Sequence, residues 1–242
     1  MNSPFLIGER LNVTGSSAFA GALRLRDWTT VRRLAAEQLR SGAQALDICL
    51  TGSGEDEVDV TREFYTECRL NIPVFIDSVN PEVMEAAVQT HPHITALNSA
   101  NLAKGDEAFQ RACQLAAKCN VSLVCGCIDE DGVAVSAVRK LSTIERLLTL
   151  SAPHLTPESI ILDLLALPIR TLPDSLAESV KAVREVKLRF PAAKTLLAIS
   201  NVSYSLPLPD RAKIENEFFQ RSADAGLDFA IVNTARLRVE VH

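Results

Sequence analysis

No block of lysine or arginine occurs anywhere in these 242 residues, and the formal net charge is −5. A broad nucleic-acid footprint needs a basic face, so no nucleic-acid partner is expected. No apolar stretch approaches the roughly 20 residues that cross a bilayer. MNSPFLIGER, at the N-terminus, holds no signal-peptide core. No membrane association and a cytoplasmic location are the expectations. Metal and thiol spacings are missing as well. The six cysteines (49, 68, 113, 119, 125, 127) include no CxxC pair. Cys125 and Cys127 flank one glycine on an apparent strand and are expected as buried free thiols. His91 and His93, in THPHIT, fall in a loop before a strand, so no metal site is expected. With four histidines in all, no Ser-His-Asp or Cys-His constellation can be assigned. IGERLN is not the GxGxxG turn of a dinucleotide fold.

What the chain does have is alternation. Apolar runs predict strands near Phe5–Gly8, Ala45–Ile48, Val74–Ile76, Ile94–Leu97, Val121–Cys127, Ile160–Leu162, Thr195–Ile199 and Phe229–Val232. Amphipathic segments predict helices over Trp28–Arg40, Glu57–Leu70, Pro81–Thr90, Asp106–Lys118, Val138–Ser151, Ser175–Arg189 and Arg211–Ala225. Asp27 and Asn80 are the caps expected to start two of them, the second with Pro81 in its first turn. Strand then helix, repeated with short links, argues for parallel βα units. Eight strands in this length fit an α/β fold of the (β/α)8 TIM barrel type. No linker divides the chain, so residues 1–242 are expected as one domain. After the eighth strand only TARLRVEVH remains, too short for a full helix. The last helix is expected to be short or absent, with the final strand covered by this tail, by a second copy in a homodimer, or by a longer chain.

The strand ends share a chemistry. NIPVFIDSVN closes a buried apolar run with Asp77, a charge that a core tolerates only when paired. Glu9 and Asn12 follow the first strand, and Asp47 ends the second. Asn98 ends the fourth strand, Asp129 follows the fifth, and Asp163 ends the sixth. Asn201 follows the seventh and Asn233 the eighth. In a βα barrel these ends converge on the face where active sites sit. Helix capping explains Asn80, but Asp77, Asn98 and Asp163 are flush with their strands. A pocket of acids and amides with almost no cations suits a neutral, donor-rich heterocycle such as a pterin. Acid–base hydrolysis by paired carboxylates is the other chemistry open to it.

Six successive segments, IGERLNVTGS, SGAQALDI, FIDSVN, LNSAN, ILDLLALPI and SNVSYSLP, resemble the pterin-binding methyltransferases. These are the methyltetrahydrofolate:corrinoid methyltransferases and the folate domain of cobalamin-dependent methionine synthase. The resemblance runs from about Phe5 to Asn233 and implies a dihydropteroate synthase-like barrel. GERLNVTGSSAF and AIVNTARL look closest to the methionine synthase folate domain. The lysine loop and terminal Arg-x-His of dihydropteroate synthases themselves are not found, since RLRVEVH has the ingredients at the wrong spacing.

The resemblance further implies movement of the N5 methyl group between methyltetrahydrofolate and a corrinoid (cobalamin) carried by a partner protein. Asp77, Asn98 and Asp163 would hold the pterin edge. Glu9, Asn12, Asp47 and Ser200 would line the same face, with Arg211 on the loop after strand seven. Asn201 would approach N5, and Asp163 would relay the proton that the departing nitrogen requires. The sequence departs from the family at Leu164, where a proline is usual after the aspartate. It departs also at Cys49 and Thr51, where Asn and Gly are usual, and at Ala198, where glycine is usual. A non-catalytic folate-binding subunit of a methyl-transfer assembly and a dihydropteroate synthase-like condensation are the alternatives.

Overall fold

Short apolar runs bounded by proline, glycine and polar residues form strands here, and the amphipathic stretches between them form helices. The computed structural model describes residues 3–237. Its strands are β1 (Phe5–Asn12), β2 (Ala45–Cys49), β3 (Val74–Asp77), β4 (Ile94–Ala100), β5 (Ser122–Gly126), the short pair β6 (Ile128–Asp129) and β7 (Gly132–Val133), β8 (Ile160–Asp163), β9 (Lys194–Ala198) and β10 (Phe229–Val232). All but β6 and β7 are parallel and close into a barrel, with β1 paired to β10 through Phe5–Phe229 and Gly8–Val232. The helices are α1 (Ser17–Arg24), α2 (Trp28–Arg40), α3 (Glu57–Cys68), α4 (Pro81–Thr90), α5 (Asp106–Cys119), α6 (Ala137–Ser151), α7 (Ser175–Arg189) and α8 (Leu208–Asp224). This is the eight-stranded TIM barrel that the alternation predicted.

Two helices start and stop where their signals lie. Asp27 accepts a hydrogen bond from the Thr30 amide at 3.0 Å and opens α2. Asn80 accepts from the Glu82 amide at 3.0 Å, with Pro81 in the first turn of α4. Other features were not foreseen. Helix α1, capped by Ser16, fills the connection between β1 and α2. The β6–β7 hairpin lies between β5 and α6. Strand β1 runs on to Asn12 and β4 to Ala100, so Glu9 and Asn98 lie within strands rather than at their ends.

The core has two layers, because a barrel strand buries both faces. The outer layer packs strands against helices and includes Ile48, Phe64, Phe109, Leu123, Leu147 and Phe218. The inner layer fills the barrel with Ile7, Ala45, Phe75, Ala96, Val124, Ile161, Leu196 and Ile231, one from each barrel strand. Phe229 packs edgewise on Phe5 and tilted against Phe75 there, with centroids 5.5 and 6.0 Å apart. At Gly8 a side chain of the helix layer presses close against the sheet. A Cβ there would lie 2.6 Å from Oε1 of buried Gln38, which already accepts from the Arg10 amide at 2.7 Å.

No helix follows β10 among the described residues. Thr234 donates to the Gln38 carbonyl at 3.2 Å, and the Arg236 carbonyl accepts from Asn216 at 3.2 Å. Of the TARLRVEVH tail considered as a cover, residues 234–237 are among the described residues. Among these, no helix is long and apolar enough to cross a membrane. All six thiols are free, five of them buried.

Candidate functional site

Side chains alternate along a strand, so the apolar inner layer fixes which later residues also face the barrel axis. Two positions beyond Ile7, Ala45, Phe75, Ala96, Val124, Ile161, Leu196 and Ile231 come Glu9, Asp47, Asp77, Asn98, Gly126, Asp163, Ala198 and Asn233. Six of these eight are acids or amides, and the other two are the smallest side chains available. The apolar plug therefore gives way to a polar ring at the C-terminal mouth, open on the side of Gly126 and Ala198.

Contacts tie the ring together. Asp77 and Asn98 are register partners on adjacent strands, as are Gly126 and Asp163. Asn98 Nδ2 donates to Asp47 Oδ1 at 2.9 Å. Ser200, on the turn after β9, donates to Glu9 Oε2 on β1 at 2.7 Å. The Leu165 amide donates to Asp163 Oδ1 at 3.0 Å. The Cys49 thiol lies against the Asp77 carboxylate and lowers its proton affinity. None of Glu9, Asp47, Asp77 and Asp163 has an ion pair among the described residues.

Acids gathered without cations hold their protons. Burial, opposed by the Ser200 hydroxyl, pushes Glu9 up to about 7. Burial also raises Asp163 to about 6, against the pull of the Leu165 amide and Lys140. Asp47 rises well above the usual carboxylate range through burial and then repulsion from Asp77. Asp77 is raised by burial too. Cys49 is pushed up to about 12 by burial and by Asp77, which keeps it a thiol. Such acids accept N–H groups when ionised and donate a proton when not, both near neutral pH.

The sequence-predicted residues thus divide into groups. Glu9, Asp47, Asp77, Asn98, Asp163 and Ser200 come together. Asn201 is next to Ser200 on the turn Ile199–Ser203, its side chain exposed at the rim. Asn12 shapes a loop: its Oδ1 accepts from Thr14 N, Thr14 Oγ1 and Gly15 N at 2.8 to 2.9 Å. Arg211 Nε donates to the Leu206 carbonyl at 2.8 Å and ties down the loop before α8. Asp129 leaves the ring altogether, because the hairpin carries it to Arg139 at 2.5 Å and Thr143 at 3.1 Å. Leu164 is buried, and its amide donates to the Leu196 carbonyl at 3.1 Å, a bond that a proline there lacks. Thr51 is exposed and reaches Glu57 at 3.5 Å.

Two buried charged residues behind the ring were missed. Lys140 sits on α6, and Glu215 on α8 pairs with the Ser203 hydroxyl. Both occupy the apolar stripe of their helix, Lys140 with Ala137, Leu141, Ile144 and Leu147, and Glu215 with Phe218, Phe219 and Ser222. A charge on the apolar face of an amphipathic helix is the signal that finds them.

A family model described as a pterin binding enzyme matches residues 8–233. The methionine synthase of Mycobacterium tuberculosis is 30% identical over 97% of this chain and 21% of that protein. The methionine synthase of Mycobacterium leprae is 30% identical over 97% of this chain and 20% of that protein. The chain therefore spans about a fifth of the length of these relatives. Among solved structures, a dihydropteroate synthase from Coxiella burnetii in complex with pteroic acid is similar with a TM-score of 0.67. It is 14% identical and covers 98% of this chain and 90% of that one. A Yersinia pestis DHPS with a pterine-sulfa conjugate also reaches 0.67, at 15% identity over 96% and 87%. These structural likenesses carry the fold.

Proposed function

This chain belongs to the pterin-binding enzyme family, and from that premise we propose that it moves the N5 methyl group between methyltetrahydrofolate and a corrinoid held by a partner protein. The observation that carries the reading is the ring of four carboxylates with Asn98, none of the acids in an ion pair among the described residues, at the open end of an apolar barrel. Asp47, Asp77 and Asp163 accept the N–H groups of the pterin edge, and Asn98 meets its carbonyl or ring nitrogen. Each N–H donated to an ionised acid repays part of the cost of burying it.

The chemistry suits these residue types. A methyl group on a tertiary amine leaves only if the nitrogen is protonated or receives a hydrogen bond that strengthens as the bond breaks. Asn201, at the rim, donates to N5 but has no proton to give. Asp163, raised to about 6, delivers that proton through water, in the pH range where general acids work best. No residue of the ring is a free nucleophile, and Cys49 is held as a thiol. The acceptor therefore comes from outside, through the open mouth, and a corrinoid supplies the nucleophilic metal centre.

Stopped-flow absorbance with reduced cobalamin and methyltetrahydrofolate tests this reading. Asn201→Ala is expected to lower the transfer rate by about 100-fold, the size of a lost transition-state donor, with little change in folate affinity. An undiminished rate in that variant removes Asn201 from the chemistry. Folate binding with no transfer to cobalamin or to corrinoid proteins makes the chain a folate-binding subunit instead.

A further inference from the structure

Lys140 is 1% exposed, yet no acid forms an ion pair with it among the described residues. Its Nζ donates to the Leu165 carbonyl at 2.9 Å and to the Ser179 hydroxyl on α7 at 2.8 Å. Ser179 in turn reaches the same carbonyl at 3.4 Å. A buried ammonium with neutral partners costs the fold stability, and an apolar side chain of the same length avoids that cost. Packing therefore does not account for the charge. Its location does.

Leu165 is the second residue after Asp163. Its φ is +47°, in the left-handed region that a branched side chain enters only when held there. Its carbonyl, in the peptide to Ala166, accepts from Lys140 and Ser179. Its amide grips Asp163 Oδ1 at 3.0 Å. Leu165 thus links the ammonium, held at its carbonyl, to the carboxylate, held at its amide, through a single residue in a half-buried turn. Leu164, between Asp163 and Leu165, has no ring to fix its φ, so the turn is held by these contacts.

We propose that Lys140 is a positioning residue for Asp163: it locks the Leu165 turn that orients the carboxylate and places a positive charge behind it. The proposal deepens the assignment of Asp163 as a pterin-gripping acid and rests on that reading. Lys140 is faced by Cys127 beyond β5, Asp163 on β8 and Glu178 on α7. Asp163 is faced by Lys140 on α6 and Asp77 on β3, and its charge is felt by Asp47 on β2 and Cys127. Among these groups Lys140 alone is a cation. It opposes the proton uptake that burial and Asp77 promote, which leaves Asp163 divided between its two forms near neutral pH.

The test needs no ligand for its first arm. Aspartate carboxyl carbons labelled with 13C are followed by NMR from about pH 4 to about pH 9 in the whole chain, the Asp163 signal being identified by its loss in Asp163→Asn. Lys140→Gln keeps a donor for the Leu165 carbonyl and removes the charge. It is expected to raise the Asp163 midpoint by about one unit, a tenfold change in proton affinity, while Lys140→Arg keeps the wild-type midpoint. An unmoved midpoint in Lys140→Gln overturns the proposal. Should that variant not fold, Ser179→Ala, which removes one of the two anchors of the ammonium, is expected to raise the midpoint by a smaller amount, and no rise overturns the proposal.

The second arm titrates tetrahydrofolate by calorimetry across the same range. Lys140→Gln is expected to bind more weakly, with the pH dependence displaced upward by the same interval. Absence of folate binding to the wild type, together with a displaced midpoint, rejects the pterin reading while Lys140 keeps its role.

Discussion

Two sets of carboxylates in this molecule titrate in opposite directions. On the outer surface Glu130 lies 2.7 Å from Arg146, and that contact draws it down to about 2. Glu55 lies 2.7 Å from Arg26 and is lowered for the same reason. Inside the mouth, Glu9, Asp47, Asp77 and Asp163 have one another, three neutral donors and a thiol, and all are raised. The residue types are the same, but the inner four sit on barrel strands facing the axis, whereas Glu130 and Glu55 sit in a turn and a loop on the outside. Outer acids are complete without a ligand. The inner four are not, and a barrel that holds them so stores free energy that a donor-rich ligand releases.

The largest expected effect comes from removing one inner acid. Asp77→Asn eliminates a charged acceptor for the pterin, and hydrogen bonds to charged groups contribute about 1.5–3 kcal/mol. Folate affinity measured by calorimetry should therefore fall about 10- to 100-fold. The unliganded protein should melt higher at about pH 8, because a buried charge has gone. Unchanged affinity would undo the assignment of the ring. A lower melting temperature would break the contrast between inner and outer acids.

Next in size is the pH dependence of stability. For Glu9 and Asp163 the folded value lies above the unfolded one, at about 7 and about 6. Their protonated forms thus favour the fold, fully below the unfolded values, and that contribution is lost as pH rises through about 6 to 7. The melting temperature of the ligand-free protein is expected to fall between about pH 5 and about pH 8. Glu9→Gln should flatten this slope, by at most about 3 kcal/mol at the alkaline end. A flat wild-type profile would show the inner acids to be solvated.

Much of this arrangement was legible beforehand. The apolar runs, the capped helices and an acid or amide at successive strand ends pointed to a barrel with a polar mouth. Asp47, Asp77, Asn98 and Asp163 are brought together because a strand period of two is a local rule. What escaped depends on contacts between elements. Asp129 follows its strand, but Gly126 holds the ring position on β5 and the unforeseen hairpin carries Asp129 outward to Arg139. Asn12 follows the motif, yet its acceptor is occupied by its own loop. Lys140 lies among the apolar residues of α6, and only its contact with the Leu165 carbonyl, after β8, ties it to the mouth.

The smallest expected effect lies in the outer set, and it is the control on which the comparison turns. Glu130→Gln removes an acid from a fully exposed ion pair, and Arg146 keeps Asp106 as a partner. Exposed pairs hold little energy, because water screens the attraction and two long side chains lose freedom. The low proton affinity of Glu130 marks strong local attraction without implying much stability. What it does contribute is present above its unfolded value and lost only as pH falls toward about 2. Melting of Glu130→Gln at about pH 7 should match the wild type within experimental scatter, and about 1 M salt should remove any residual difference. A loss in Glu130→Gln as large as the gain in Asp77→Asn would mean that charge placement on the outside matters to this barrel as much as inside, and the mouth would no longer stand apart.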